Sequence, residues 1–185
     1  LGVDAIGFIF YEESRRCITI EKAQEIIYFL PPFVTTVGIF VNADYKVVNT
    51  VASRCHLDMV QLHGDESPDY CMKLNSRLLK AFRVNLMSDI EQISQYQGLV
   101  SGILLDSKIE SAYGGTGKVF DWGIALAAKN YDIPLILSGG LCLDNIEKAI
   151  EIVNPDGVDI SSGIEVSPGV KDYNKMKQLI SKIKK

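Results

Sequence analysis

Short apolar runs recur along the chain, and each is followed by a stretch in which hydrophobic residues have helical spacing. Near-continuous hydrophobicity, rather than strict alternation with polar residues, is typical of parallel strands covered by helices. The pattern therefore predicts successive strand–helix units. Seven strands are predicted, at residues 5–10, 36–41, 59–62, 78–84, 102–106, 135–138 and 157–162.

The segments between the predicted strands carry helix signals. Apolar residues at 23, 26, 27 and 30 share one helical face, and Pro31 ends that helix. Ser67 and Pro68 predict the N-cap and first position of a second helix. Asp144 and Glu147 resemble a capping box ahead of a third.

Seven such units form either an open doubly wound sheet or most of a closed barrel, which needs eight strands. The chain opens with Leu1 and Gly2, which we interpret as the end of a helix directly before the first strand. One preceding strand would bring the count to eight. We therefore predict a (β/α)8 TIM barrel of the α/β class, with its first βα unit missing from residues 1–185. No linker divides the chain, which predicts a single domain, and an open flavodoxin-like sheet is the alternative.

Composition and charge narrow the function classes. The 185 residues are 47% hydrophobic and 23% charged, which suits one compact domain. A net charge of −4 without a long Lys/Arg run argues against a nucleic-acid partner. No apolar stretch reaches membrane-spanning length, which predicts no membrane association. The four cysteines lack metal-type spacing, which predicts reduced thiols in the cytoplasm and no metal.

Polar and small residues gather where the predicted strands end. Barrel enzymes assemble their active sites at the carboxyl ends of their strands, so this distribution predicts catalysis. The residues are Arg16, Asn42, Gln61, His63, Arg83, Asp106, Ser138, Gly139, Gly140, Asp159, Ser161, Ser162 and Gly163.

Two glycine-containing segments, "LSGGL" and "ISSGIE", follow the last two predicted strands. In barrels, loops at these positions often bind phosphate through backbone N–H groups, and small residues allow its close approach. Gly139, Gly140, Ser162 and Gly163 are the predicted phosphate-binding residues. The alternative is that these glycines only form tight turns.

Asp106 follows the apolar run "GILL", so its carboxyl group is predicted at the mouth of the barrel. There it is suited to act as a general acid. The alternative is that Asp106 caps a turn.

The segment "GGTGK" raises the possibility of a nucleotide-binding loop. A Walker-type loop needs glycine and Ser or Thr where this chain has Ala112 and Val119, so that motif is excluded. A mobile lid over an anionic substrate is the favoured interpretation, and a solvated loop is the alternative. The predicted lid residues are Gly114, Gly115, Gly117 and Lys118.

Three further residues each have a functional and a structural interpretation. Arg16 either grips a carboxylate or is solvated before a helix. His63 either orients the substrate or belongs to a turn. Asp159 either belongs to the strand-end site or is a buried cap for a nearby loop.

Together these segments resemble the phosphoribosylanthranilate isomerases over essentially the whole chain. The resemblance rests on "DAIGFIFYEESRRCIT", "PPFVTTVGIFVN", "VQLHGDE", "LLDSKIESAYGGTGKVFDW", "LILSGGL" and "VDISSGIEVSPGVKD". It implies an Amadori rearrangement of N-(5-phosphoribosyl)anthranilate in tryptophan biosynthesis, without a metal or cofactor. A phosphorylated small molecule is the implied partner, and we expect a monomer or a homodimer. The alternatives are another phosphate-binding barrel enzyme, such as an epimerase or indole-glycerol-phosphate synthase, and a noncatalytic phosphate-binding module.

The resemblance also assigns roles. Asp106 corresponds to the general acid, Arg16 to an arginine near the anthranilate carboxylate, and His63 and Asp159 to further pocket positions. The glycine loops correspond to the phosphate site. The family's base is a cysteine in a first strand similar to "KICG", which residues 1–185 lack, and Cys17 belongs to the arginine loop instead. The chain is therefore either a truncated form of a normal isomerase or a fragment without turnover.

Overall fold

The computed structural model describes residues 1–107 and 120–184, which form two compact units. The N-terminal unit comprises Gly2–Lys80 and Gly98–Ser101. Among the described residues, the C-terminal unit comprises Ala81–Gln97, residues 102–107 and 120–184, and Leu1. Within the described ranges, no helix is long and apolar enough to cross a membrane.

The N-terminal unit alternates strands and helices. Parallel pairing runs from β1 to β2, β3 and β4, with Gly38 of β2 opposite Phe8 of β1 and Val60 of β3. Phe40, Val48, Val60 and Leu62 are among its fully buried side chains. The elements are β1 (Ala5–Ile9), α1 (Ile20–Tyr28), β2 (Thr35–Phe40), α2 (Tyr45–Cys55), β3 (Met59–Leu62), α3 (Pro68–Cys71) and the start of β4 (Arg77–Val84).

The C-terminal unit is built around β5, in which Ile103, Leu104 and Leu105 are at most 1% exposed. β5 pairs in parallel with β6, and β6 pairs in parallel with β7. After the end of β4, the elements are a 3-10 helix (Met87–Tyr96), β5 (Gly102–Ser107), α4 (Trp122–Ala128), a 3-10 turn (Lys129–Tyr131), β6 (Leu135–Leu137), α5 (Ile146–Val153), β7 (Gly157–Val158), a 3-10 turn (Ser162–Ile164), the antiparallel hairpin β8 (Glu165–Ser167) and β9 (Val170–Lys171), and α6 (Tyr173–Ile183).

The strand order in the sheet is β1-β2-β3-β4-β5-β6-β7, the order of the chain. An α/β fold on a parallel sheet is thus confirmed. A doubly wound sheet needs a point at which the strand order reverses, and this order has none. The open flavodoxin-like alternative is therefore wrong.

Element boundaries differ most at the C-terminal end. The strand predicted over 157–162 is assigned only to Gly157–Val158, although the Asp159 N–H still donates to the Leu137 carbonyl at 2.9 Å. The β8–β9 hairpin that follows was not predicted. The N-cap prediction for α3 is confirmed, because the Ser67 hydroxyl accepts from the Tyr70 N–H at 3.2 Å.

The capping box predicted from Asp144 and Glu147 is wrong. The N-cap of α5 is Asn145, and its side chain does not cap the helix. Its oxygen accepts from the Cys142 N–H at 2.9 Å and its amide donates to the Gly140 carbonyl at 3.0 Å. Asn145 therefore holds the preceding loop, because that loop offers both a donor and an acceptor within its reach.

Candidate active site

Asp106 ends the apolar core of β5 and is buried, with 4% of its surface exposed. The run Ile103–Leu105 brings the strand through the core and places this carboxylate at the strand's carboxyl end. One of its oxygens, Oδ1, accepts from the N–H of Ser107 at 2.8 Å. A buried carboxyl group at a strand end is suited to proton transfer in a site from which water is excluded.

The loop after β6 passes directly against Asp106. Gly139 and Gly140 have φ angles of +81° and +70°, in the left-handed region that favours glycine. A Cβ atom on Gly139 would lie 2.6 Å from the backbone nitrogen of Ser107 and 3.1 Å from Oδ1 of Asp106. Only a glycine permits this approach, so the close contact of the loop with β5 depends on Gly139.

The loop after β7 packs backbone to backbone on the loop after β6. A Cβ atom on Gly163 would collide with the carbonyl oxygen of Leu141 and would lie 3.1 Å from the Cα of Cys142. Ser162 and Gly163 begin the 3-10 turn Ser162–Ile164. The two glycine loops predicted from the sequence are therefore in contact in the C-terminal unit.

Asp159 and Ser138 connect these same loops. The buried Ser138 hydroxyl donates to Oδ2 of Asp159 at 3.4 Å. Asp159 itself is exposed, so the structural alternative for it, a buried cap, is wrong. Its position one residue beyond β7, where the strand leaves the core, accounts for this exposure.

The hairpin β8–β9 holds the end of the second loop, a feature that the sequence did not reveal. The side chain of Glu165 is buried, and its Oε1 lies 2.9 Å from Lys171 Nζ. Lys171 also donates to the carbonyl oxygen of Ser161 at 3.2 Å. The ion pair thereby ties the hairpin to the residue before Ser162.

Arg16 and His63 belong to the N-terminal unit. Arg16 is half-buried in the loop after β1, where its backbone N–H donates to the hydroxyl of Ser14 at 3.2 Å. His63 is half-buried after β3, and its backbone N–H donates to the Phe40 carbonyl at 2.8 Å. Its Nδ1 lies 2.8 Å from Nε2 of the buried Gln61.

Lys80 and Glu66 form a buried ion pair in the same unit, with Nζ and Oε2 3.0 Å apart. Neither residue was singled out from the sequence. The signal was present, because a lysine inside the apolar strand "LLKAFRV" must have a buried partner.

The surroundings of Cys17, Cys55 and Cys71 do not favour any of them as a general base. Burial raises the pKa of the Cys55 thiol and of the Cys71 thiol, which disfavours their thiolate forms. Cys17 is exposed, and its Sγ lies 3.9 Å from the carbonyl oxygen of Ile18. None of the three ends a strand.

The predicted lid falls outside the described residues, which stop at Ser107 and resume at Phe120. Its residues are Gly114, Gly115, Gly117 and Lys118. Across residues 1–107 and 120–184, no group of three or more His, Cys, Asp or Glu side chains is placed to hold a metal ion.

The chain has a parallel α/β fold, and a buried carboxyl group at one strand end lies beside two glycine loops that touch each other. This arrangement is typical of enzymes whose active sites lie at the carboxyl ends of parallel strands. The family model for N-(5'-phosphoribosyl)anthranilate (PRA) isomerase matches residues 1–182. The chain belongs to this family, and its activity is the isomerase step of tryptophan biosynthesis.

Individual relatives agree along the whole chain. The isomerase of Geotalea uraniireducens is 49% identical over 183 residues, which are 99% of this chain and 89% of the relative. The crystal structure of phosphoribosyl anthranilate isomerase from Thermotoga maritima is 42% identical, with a TM-score of 0.92 over 99% of this chain and 89% of that one. A solved isomerase in complex with reduced 1-(o-carboxyphenylamino)-1-deoxyribulose 5-phosphate is 39% identical, with a TM-score of 0.88 over 99% and 88%. The predicted enzyme class is confirmed.

Proposed function

We propose that Asp106 is the general acid of the isomerase reaction and that the loops after β6 and β7 bind the phosphate of the substrate. The observation that supports this proposal is the close approach of Gly139 to Asp106. A Cβ atom on Gly139 would lie 3.1 Å from Oδ1 of Asp106. The acid and the first glycine loop are thus adjacent. A sugar phosphate held by this loop has its sugar within reach of the carboxyl group.

The phosphate part of the proposal rests on the backbone. Phosphate groups bind where consecutive backbone N–H groups are accessible and no side chain intervenes. Gly139, Gly140 and Gly163 lack such side chains, and Ser162 can add a hydroxyl donor. Asn145 holds the loop after β6, and the Glu165–Lys171 pair holds the loop after β7.

In the Amadori chemistry, the acid protonates the ring oxygen of the ribose and the ring opens to an iminium ion. A base then removes the proton on C2, and the resulting enolamine tautomerises to the ketone. Asp106 supplies the first proton, and its burial keeps water from competing for it. No metal or organic cofactor takes part in these steps.

We assign the remaining predicted residues by the same resemblance. Arg16 contacts the anthranilate carboxylate, His63 orients the substrate, and Asp159 lies in the pocket. The bidentate guanidinium of Arg16 matches a planar carboxylate. Gly114, Gly115, Gly117 and Lys118 form the lid, which rests on the sequence alone.

The fold that we propose is a single (β/α)8 barrel domain over residues 1–185, with its first βα unit upstream of Leu1. The described residues form seven parallel strands in chain order, one fewer than the eight of a closed barrel. This count supports the proposal that one unit precedes them. The general base is then a cysteine in the upstream strand. The free cysteines support a cytoplasmic location, and we propose a monomer or homodimer with a phosphorylated small molecule as its partner.

Replacing Asp106 with Asn tests the acid. The substitution keeps the shape of the side chain but removes the transferable proton, so kcat should fall by roughly 10²- to 10⁴-fold. Turnover is followed by the change in anthranilate fluorescence with freshly made phosphoribosylanthranilate. Asp132→Asn, at an exposed position of the same unit, is the control and should keep the wild-type rate. An Asp106→Asn variant with wild-type kcat would refute the assignment.

A further inference from the structure

The buried pair Lys80–Glu66 has no role in the reaction as proposed above. The two side chains are only 3% and 2% exposed. A buried ion pair contributes little net stability, because the loss of hydration offsets most of the attraction. The main effect of the pair is therefore on the local geometry of the backbone that it contacts.

Lys80 binds the turn after β3 on both sides of His63. Its Nζ donates to the carbonyl oxygen of Gly64 at 2.6 Å and to that of Leu62 at 3.4 Å, in addition to its bond with Glu66. These two carbonyl groups flank residue 63. The ammonium group thus fixes the backbone on which the His63 ring is carried.

Glu66 joins the same turn to the end of β2. Its carboxylate accepts from the N–H of Gly64 at 3.0 Å and from the N–H of Asn42 at 2.8 Å. Asn42 has a φ angle of +50°, and its Oδ1 accepts from the N–H of Asp65 at 2.7 Å. The two loop ends are therefore joined by reciprocal bonds.

The ring of His63 is held separately by Gln61. Nε2 of the Gln61 amide lies 2.8 Å from Nδ1 of the His63 ring. The backbone N–H of His63 is bonded to Phe40, so ring and backbone have separate supports.

We propose that Lys80 and Glu66 are positioning residues that hold the turn of residues 62–66, and with it His63, in the geometry that binds the substrate. This inference rests on the proposed role of His63. The pair acts through His63 and does not itself touch the reacting atoms.

The test compares Lys80→Met, Glu66→Gln and the double variant. Each single change leaves one buried charge without its partner, so it lowers the melting temperature and raises KM by roughly tenfold or more, with a smaller change in kcat. The double variant leaves no unpaired charge at this site and regains most of the melting temperature, but its KM stays raised because the bonds to Leu62 and Gly64 are not restored. Recovery of KM together with the melting temperature would overturn the proposal.

Amide hydrogen exchange separates the turn from the chemistry. Lys80→Met should accelerate exchange of the Gly64 amide by at least tenfold, and unchanged exchange or unchanged KM would overturn the proposal. Lys182→Met is the matched control, because its ion pair with Glu147 at 2.7 Å is 36% and 44% exposed. That variant should leave KM, melting temperature and Gly64 exchange unchanged.

His63→Ala distinguishes this inference from the proposed acid. If Lys80 acts through His63, the Lys80→Met change raises KM much less in the His63→Ala background than in the wild type. A wild-type KM for His63→Ala, or an equal effect in both backgrounds, would refute positioning through His63. Neither result bears on Asp106, which is judged by Asp106→Asn alone.

Discussion

The two units differ in the contacts that bring their loops closest together. In the C-terminal unit, loops approach one another through glycine, and the contacts join backbone to backbone, as at Gly139 against Ser107 and Gly163 against Leu141. In the N-terminal unit, charged and amide side chains join the loops, with Lys80 and Glu66 at the centre. The first arrangement brings two loops together without intervening side chains, and the second joins two loops through a buried ion pair.

With the function proposed above, this difference follows from what each unit holds. A phosphate group is recognised by backbone N–H groups, which a side chain would obstruct. An imidazole ring is oriented by partners on both its ring and its backbone, and buried charges specify such a geometry at some cost in stability. The two units should therefore respond differently to added methyl groups and to changes of pH.

The largest expected effect is that of Gly139→Ala. The new methyl group meets the backbone nitrogen of Ser107 at 2.6 Å, and the φ angle of +81° is strained for alanine. We expect a loss of about 1–3 kcal/mol in the free energy of unfolding and roughly a hundredfold fall in kcat/KM, because the loop must move away from Asp106. Denaturant unfolding and the fluorescence assay measure the two quantities.

Gly98→Ala is the matched control for Gly139→Ala. Gly98 has a φ angle of +75°, but nothing lies within 4 Å of the position of an added Cβ. It should show the strain of the left-handed backbone without the collision, and kcat/KM should be unchanged. Equal effects of the two substitutions would contradict the importance of the close approach.

Gly64→Ala should have a smaller effect. Its methyl group would collide with the side-chain oxygen of Asn42 and would lie 2.8 Å from the Asn42 nitrogen, which displaces the turn that carries His63. We expect roughly a tenfold rise in KM with kcat nearly unchanged, because Asp106 is unaffected. Gly157→Ala is the control, since its nearest atom is Ile136 Cγ1 at an ordinary 3.5 Å. If kcat rather than KM changes in Gly64→Ala, the contrast between the units is wrong.

The smallest effect concerns alkaline pH. Burial, followed by the negative charges of Glu66, Asp44 and Cys71, raises the pKa of Tyr70 from 10.0 to about 12. Because the folded-state pKa is the higher one, the stability contributed by the neutral phenol is complete below pH 10 and is lost as the pH rises towards 12.

Tyr70→Phe should therefore flatten the fall of stability across this range, as measured by urea unfolding at a series of pH values. The variant also loses the hydrogen bond to the Ala43 carbonyl at 2.8 Å, so at pH 8 it should be less stable by about 1 kcal/mol. Tyr28→Phe, at a position that is 83% exposed, should keep the wild-type slope. An unchanged slope in Tyr70→Phe would contradict the raised pKa that burial and the acidic neighbours give this phenol.

Most strands were predictable because their signal is local. The run "MVQL" predicted β3 at 59–62, where it is found, and β5 at 102–107 extends one residue beyond its prediction. β7 is shorter than predicted, because Asp159 and the residues after it leave the core and turn towards the β8–β9 hairpin. Hydrophobicity alone does not reveal where such a turn begins.

The sequence by itself determined the alternation of strands and helices, the family, and the strand-end positions of Asp106 and the glycine loops, because each depends on residues that are close together in the chain. Only the tertiary structure decided which of these positions touch. Lys80 meets Glu66 across 14 residues, Glu66 meets Asn42 across 24, and Gly139 meets Asp106 from a different strand. Such contacts depend on strand order and register, which no local pattern of side chains specifies.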